Sequence, residues 1–259
     1  MPKSRVIVEF PDRPAYPVRI GGGVADQMGA DLRAAGVDAE RCLVVCDSDS
    51  ATRCLPGLKT ALQGAGFRVV DIAIPSVEPE QAWECIAELH GAFAQLGLPA
   101  QTPVIVCACV QVPELAAFAV ATYGGGLPLV LVPASLAGAL RTVGVDRIEL
   151  DAGYPVPVVA LCSPAFAAIE PGLLACESEA EAELGLDELD AAAAYADAEY
   201  RSWLAGVRTD MAAYDEDALV LALTQVLASR ADALGEDIAA RDEARPGKAL
   251  KGLLDRYFG

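Results

Sequence analysis

Short apolar runs separated by glycine and proline recur along the chain. Residues 104–109 and 129–132 are two of them. The first is followed by a helical pattern over 113–122 and a glycine turn at Gly124, Gly125 and Gly126. The second runs into Pro133 and another helix start. Strand, helix and strand in that order make a βαβ unit, where ligands sit at the points at which strand ends enter helices. The same alternation begins at the N-terminus. Residues 5–10 and 16–20 read as strands, 25–35 as a helix, and 42–46 as a buried strand ending in Asp47. A helix is predicted over 58–65, a strand over 67–74 and a helix over 79–95, opened by Pro79. Strand-like residues return over 148–162. From 165 onward the pattern is helical, with segments at 177–184, 188–204, 216–241 (open to a break near 233–235) and 248–257. The predicted fold is an α/β N-terminal domain with an open, largely parallel sheet over 1–163, followed by an all-α domain over 164–259.

Composition narrows the function classes. Hydrophobic residues make up 54% of 259 residues, so the chain folds. No apolar run has the length to span a bilayer. The opening MPKSRVIVEF passes straight into strand alternation without a signal-peptide shape, so a cytoplasmic location is expected. A formal net charge of −18 repels phosphate backbones and argues against nucleic acid as a partner. The eight cysteines form no CxxC pair and His90 is the single histidine, so no metal site is expected. Several cysteines lie in apolar strand patterns, where the thiol behaves as a small buried hydrophobe. His90 lies in a helical pattern and reads as a packing or surface residue. Gly21, Gly22 and Gly23 do not make GxGxxG and read as a tight turn. Asp47, at a strand's carboxyl end, either meets a ligand hydroxyl or caps the next helix.

The order of these segments resembles 3-dehydroquinate synthase and its sugar-phosphate cyclase relatives over nearly the whole chain. The matching stretches are YPVRIGGG (16–23), CLVVCDSDS (42–50), AGFRVVDIAIPSVEPE (65–80), ALCSPAFAAIEP (160–171) and ASRADALGEDIAARDEA (228–244). The most specific is LAAFAVATYGGGLPLVLVPASLAGAL (115–140), similar to the family's LAGFxAATYxRG…PTTLLA block. The resemblance implies carbocycle closure from a linear sugar phosphate, with NAD as redox partner, a metal that holds the substrate, and a dimer.

Position by position, the resemblance also marks what has changed. The family's cofactor aspartate falls on Asp47, the glutamate of its GExxK motif on Glu78 and that motif's lysine on Gln81. Its pyrophosphate-binding glycines fall on Ala108, Cys109 and Val110, and its Gly-Asp pair on Pro113 and Glu114. Its loop arginine falls on Gly125, its Thr-Thr pair on Ala134 and Ser135, and the aspartate of DSSVGGK on Arg141. Glu181 matches a metal-ligand glutamate, but the lysine after it falls on Leu184 and a later lysine on Gly235. The chain ends at LLDRYFG, about where the family's histidine motif would begin. A pyrophosphate needs bare backbone N–H groups, which glycine permits and side chains obstruct.

These changes predict a degenerate, shortened relative that uses no cofactor and no metal. The first reading is a cyclase, lyase or isomerase acting on a small, mainly apolar secondary metabolite in the inter-domain cleft. Its candidate catalytic residues are Asp47, Glu78, Glu114 and Arg141, with Cys109, Tyr123, Ala134, Ser135 and Glu181 as substrate contacts. A carboxylate in an apolar cleft would have a raised pKa suited to acid–base work. The second reading is a catalytically inactive partner or regulator of another enzyme. Against each site role stands a plainer one: helix caps or surface charge for the carboxylates, salt bridges for Arg141 and Arg147. A closed apolar cavity at the Cys109 and Ala134 loops favours the enzyme. A filled cleft with an exposed apolar patch elsewhere favours the partner.

Overall fold

In the computed structural model the apolar runs become neighbouring strands of one seven-stranded sheet. The structure describes residues 3–10, 13–75, 77–109, 111–175, 177–193 and 198–244, with side chains except at Arg13 and 233–244. The elements begin with the hairpin β1 (Lys3–Phe10) and β2 (Arg13–Gly21), then α1 (Met28–Ala34), β3 (Arg41–Asp47), α2 (Ser48–Arg53) and α3 (Leu55–Gly64). Next come β4 (Arg68–Ile74), a 3-10 turn (Pro79–Gln81), α4 (Ala82–Leu96), β5 (Val104–Val106), α5 (Gln111–Thr122), β6 (Leu129–Leu131) and α6 (Leu136–Thr142). The strands β7 (Arg147–Leu150), β8 (Val158–Leu161) and β9 (Phe166–Ile169) follow. The remainder is helical: α7 (Pro171–Leu174), α8 (Glu179–Ala192), α9 (Ala198–Gly206), α10 (Arg208–Ala212) and α11 (Glu216–Ala244).

The sheet order is β1-β2-β9-β6-β5-β3-β4, parallel throughout except for the antiparallel β1–β2 edge. Successive side chains of a strand point to opposite faces, and here both faces are covered. Leu43, Val45, Val104 and Val106 face the cluster that holds Phe93 of α4 and Phe118 of α5. Cys42, Val44, Cys46 and Ile105 face the cluster that holds Met28 of α1 and Leu62 of α3. This explains why the strands read as continuous apolar runs and not as alternating ones.

The helical C-terminal part packs back on the sheet. Helix α11 runs along β1 and β2, and the Gly22 N–H donates to Glu216 Oε1 at 3.0 Å. A Cβ on Gly22 would lie 2.8 Å from that same oxygen, so glycine permits the close approach. The buried Tyr16 hydroxyl of β2 accepts from the Gly144 N–H at 2.8 Å, fixing the turn after α6 where Gly144 has φ +72°.

One expectation needs correction, and two readings that the sequence left open are decided. The pattern does not become purely helical after 165: Phe166–Ile169 is a strand lying between β2 and β6, so the sheet continues past residue 163. Its sequence, FAAI, is short and alanine-rich, and its β character comes from its two neighbours. The strand-like stretch 148–162 does not join the sheet. It forms a separate two-stranded antiparallel hairpin, β7–β8. The last long helix is unbroken through 233–235, since one glycine inside a helix of 29 residues is a tolerable local cost. The helix expected at 248–257 lies outside the described residues. No described helix is long and apolar enough to cross a membrane.

Candidate functional site

A cleft of about 930 Å³ opens between the start of the 3-10 turn, the N-terminal half of α5, the end of α6, the β7–β8 hairpin and the helices α8 and α11. Parallel topology explains its place. Residues that follow the carboxyl ends of β4 and β5 emerge on one edge of the sheet, the edge where ligands of such sheets gather. Its lining carries the carboxylates of Glu78, Glu114, Asp146, Glu149, Asp151 and Glu188 against three arginines.

Glu114 and Arg141 form the centre. Glu114 sits in the first turn of α5 and is 7% exposed. Its Oε1 lies 3.6 Å from Arg141 Nη1, an ion pair looser than a normal hydrogen bond. Among the described residues its buried Oε2 has no hydrogen-bond partner. Arg141, at the end of α6, is turned mainly toward Glu188 of α8, whose Oε1 accepts from Nε at 3.0 Å and from Nη2 at 2.7 Å. Burial pushes the Glu114 carboxyl up to about 7, and its own backbone N–H and the Arg141 charge offset only part of that. For Arg141, burial acts to lower the pKa, but the bond to Glu188 and the Glu114 charge outweigh it and the net direction is up.

The structure brings Glu78, Glu114 and Arg141 together along this cleft and places the other sequence candidates elsewhere. Asp47 caps α2, accepting from the Ser50 N–H at 2.8 Å and the Ser50 hydroxyl at 2.9 Å, and also from the Cys109 N–H. Cys109 is buried, its thiol donating to the Ala134 carbonyl at 3.2 Å and lying 3.6 Å from Ser50 Oγ. Burial pushes that thiol up to about 12, so it is held as a thiol and is no nucleophile. Ser135 caps α6 by accepting from the Gly138 N–H at 3.1 Å. Glu181 forms a capping box with Ser178 at the start of α8, its carboxylate accepting from the Ser178 N–H at 2.6 Å. Tyr123 follows α5 at the opposite edge of the sheet, stacked edge-on to Phe93 and tilted against His90. His90 packs there with its Nε2 2.9 Å from the Ala119 carbonyl. Cys109 and Ala134 are packed in a core cluster, so this spot lacks, among the described residues, the apolar cavity that would favour an enzyme, and the case for an enzyme moves to the open cleft with its charged centre.

Sequence reasoning missed Glu188, Asp146 and Arg230. Glu188 lies on α8, far along the chain from Arg141, and only the packing of α8 on α6 unites them. Arg147, weighed as a salt-bridge residue, does pair with Asp146, at 3.0 Å.

This architecture is that of the dehydroquinate synthase-like cyclases. A 2-epi-5-epi-valiolone synthase from Streptomyces hygroscopicus subsp. jinggangensis, solved with NAD+ and Zn2+ bound, matches with a TM-score of 0.74 at 19% identity, over 89% of this chain and 64% of that one. A 2-deoxy-scyllo-inosose synthase matches with a TM-score of 0.75 at 15% identity, over 91% and 65%. In sequence the chain is 28% identical to the 3-dehydroquinate synthase of Caulobacter vibrioides over 246 residues, 95% of this chain and 65% of that enzyme. No protein-family profile matches. The chain is thus distantly related in sequence to the 3-dehydroquinate synthases over most of its length, shares its fold with the two cyclases above, and spans just under two thirds of the Caulobacter enzyme.

At the loop after β5, where the resemblance implies a pyrophosphate, the described backbone is not open glycine. A pyrophosphate at the loop after β5 would meet the Asp47 carboxylate, which already takes the Cys109 N–H, and the Cys109 side chain. Among the described residues no group of three or more His, Cys, Asp or Glu is placed to hold a metal ion.

Proposed function

We propose that this chain is a cofactor-independent derivative of the dehydroquinate synthase fold that rearranges or cyclises a small metabolite by acid–base chemistry at Glu114. The observation that supports this reading is one buried carboxyl, pushed up to about 7, beside Arg141 on a cleft of small-molecule size. A group titrating there both takes and returns a proton near neutral pH. Glu114 takes a proton from the carbon next to a carbonyl, leaving an enol or enolate. That carbon then attacks a second carbonyl of the same molecule, and Glu114 returns the proton to the new alkoxide. Alternatively the proton returns to a different atom and the result is an isomer. Both sequences balance without oxidant or metal. Arg141 stabilises the carboxylate while Glu114 is ionised. Beside its charges the lining carries Val77, Ala82, Leu115, Leu140 and Leu150, so we read the occupant as a metabolite with both polar groups and an apolar part, where a mainly apolar one was expected.

In D2O, unphosphorylated linear polyhydroxy ketones are expected to exchange the proton next to the carbonyl when the protein is added, as followed by proton NMR. Glu114→Gln is expected to slow this at least a hundredfold. Exchange that requires added NAD+ or zinc, or that survives the substitution, would sink the reading.

The alternative, an inactive partner or regulator of another enzyme, draws on the β7–β8 hairpin. Tyr154, Val156, Val159 and Leu161 are exposed there together, a grouping that marks interaction surfaces. Paired register places Val159 opposite Glu149 and Leu161 opposite Arg147, so Val159 and Leu161 share one face. If this face holds a partner or a second copy, Val159→Asp with Leu161→Asp lowers the sedimentation coefficient of the complex. An unchanged coefficient removes the alternative's main support.

A further inference from the structure

We infer that Glu188 is a positioning residue for this reaction: it turns the Arg141 guanidinium away from Glu114, so that Glu114 serves as a proton carrier and is not locked as a salt-bridge anion; this rests on the acid–base reading of Glu114. Arg141 offers three nitrogens in one rigid plane. Two of them, Nε and Nη2, donate to a single oxygen of Glu188 at 3.0 and 2.7 Å. The third, Nη1, stops 3.6 Å from Glu114 Oε1, outside normal hydrogen-bond reach. Closing that gap means tilting the plane off Glu188. A carboxylate that took the guanidinium fork directly would stay ionised well below neutral pH and make a poor base. One whose arginine is already paired with a second carboxylate holds its proton to higher pH. The signs at Glu114 agree: burial raises its pKa, Arg141 lowers it, and the Glu188 charge raises it again.

The fold holds Glu188 in this place. Helix α8 crosses α6 at Gly185, one turn before Glu188, where a Cβ would fall 2.7 Å from the Leu136 Cβ. Asp187 and Asp190, on either side of Glu188 in sequence, are both bound by Arg208 of α10, Asp187 at 2.7 Å. Glu188 is the acid of α8 that is ion-paired to Arg141 among the described residues. Two further arginines of the cleft are held elsewhere, Arg147 by Asp146 and Arg230 by the carbonyls of Leu140 and Val143. The acids Glu78, Glu149 and Asp151 face the same cleft. Helix α4 packs on α5 with Glu84 and Glu88 exposed, the Cys85 thiol buried, and His90 at the Ala119 carbonyl. Strands β5, β6 and β8 carry no titratable side chain, and β3 contributes Leu43 and Val45 to the core that α5 shares.

Carboxyl NMR of the full chain tests the role, with isotope at the glutamate carboxyl carbons and the Glu114 signal assigned by its loss in Glu114→Gln. Proton exchange in D2O is followed in parallel with D-xylulose as the probe. Glu188→Gln removes the charge, and Glu188→Ala frees Arg141 as well. Glu114 is expected to titrate about one pH unit lower in the first and about two lower in the second, while Arg141→Gln raises it. The midpoint of the exchange profile should move with it. Its plateau should fall several-fold, because a more acidic carboxyl is a weaker base. A purely structural Glu188 would change the melting temperature and leave both midpoints in place, which overturns the role. An upward move in Glu188→Ala overturns it too. Exchange with an unmoved midpoint overturns the role and leaves the acid–base reading intact. The expected downward titration with no exchange in wild type supports the hold of Glu188 on Arg141 and overturns the acid–base reading instead.

Discussion

Gly185→Val is expected to destabilise the protein by about 3 kcal/mol, the upper range for overpacking a tight contact, and to lower its melting temperature by about 10 °C. Gly185 lies on α8 where that helix crosses the start of α6. A Cβ there would fall 2.7 Å from the Leu136 Cβ and 3.0 Å from the Ala137 N. The obstacle is the α6 backbone and a Cβ anchored to it, so no flexible side chain can yield, and the helices must separate. Arg141 on α6 and Glu188 on α8 then move apart, and Glu114 is left as the acid facing Arg141 among the described residues. The substitution thus reads out both links, packing and site. Thermal unfolding gives the first. The second appears as a changed pH dependence of the Glu114 exchange reaction. A melting temperature within two degrees of wild type would show that α8 does not pack on α6 as described.

The protein is expected to lose stability as pH rises from 5 to 8.5, and Glu114→Gln to remove much of that loss. The folded Glu114 carboxyl titrates near 7, above its ordinary value of 4.5. A folded pKa above the unfolded one means that the folded state holds the proton more tightly. The contribution is fully present below about 4.5 and is lost as pH rises through 7. The shift corresponds to on the order of 3 kcal/mol by the upper end of the window. Glu177 adds in the same direction: burial pushes its carboxyl up to about 7 despite the hydrogen bonds from Tyr214 and the Leu136 N–H. Its part is smaller because water reaches it. Urea unfolding at pH 5.5, 7 and 8.5 separates the two. Glu114→Gln should be more stable than wild type at pH 8.5 and nearly equal at 5.5. Parallel profiles for the two proteins would mean that Glu114 is not held in a desolvated site.

Much of the fold was legible because its information is local. Apolar runs of strand length, closed by Gly and Pro, mark β3 to β6, and the collinear stretches gave the family resemblance and with it the parallel sheet. Glu114 was legible through the resemblance, at the position of the family's Gly-Asp pair, and as a carboxylate that an apolar cleft would push up. The hairpin β7–β8 and the strand β9 were not. Strands of four residues carry too little pattern, and neighbours brought in from far along the chain decide whether they pair in the main sheet or apart from it.

The site divides along the same line. Through the resemblance, the sequence marked Ala108, Cys109 and Val110 as the positions where the family's glycines would fall, and it put carboxylates and an arginine near strand ends. Tertiary structure decided which of them meet. Asp47, Ser135 and Glu181 turned inward to unpaired helix N–H groups, because a cap three residues away is the nearest donor a short polar side chain finds. Arg141 was drawn to Glu188 by the packing of α8 on α6, and Glu114 Oε2 was buried with no donor among the described residues. Burial and pairing across long sequence separations set the charge of the cleft wall, and no local pattern encodes them.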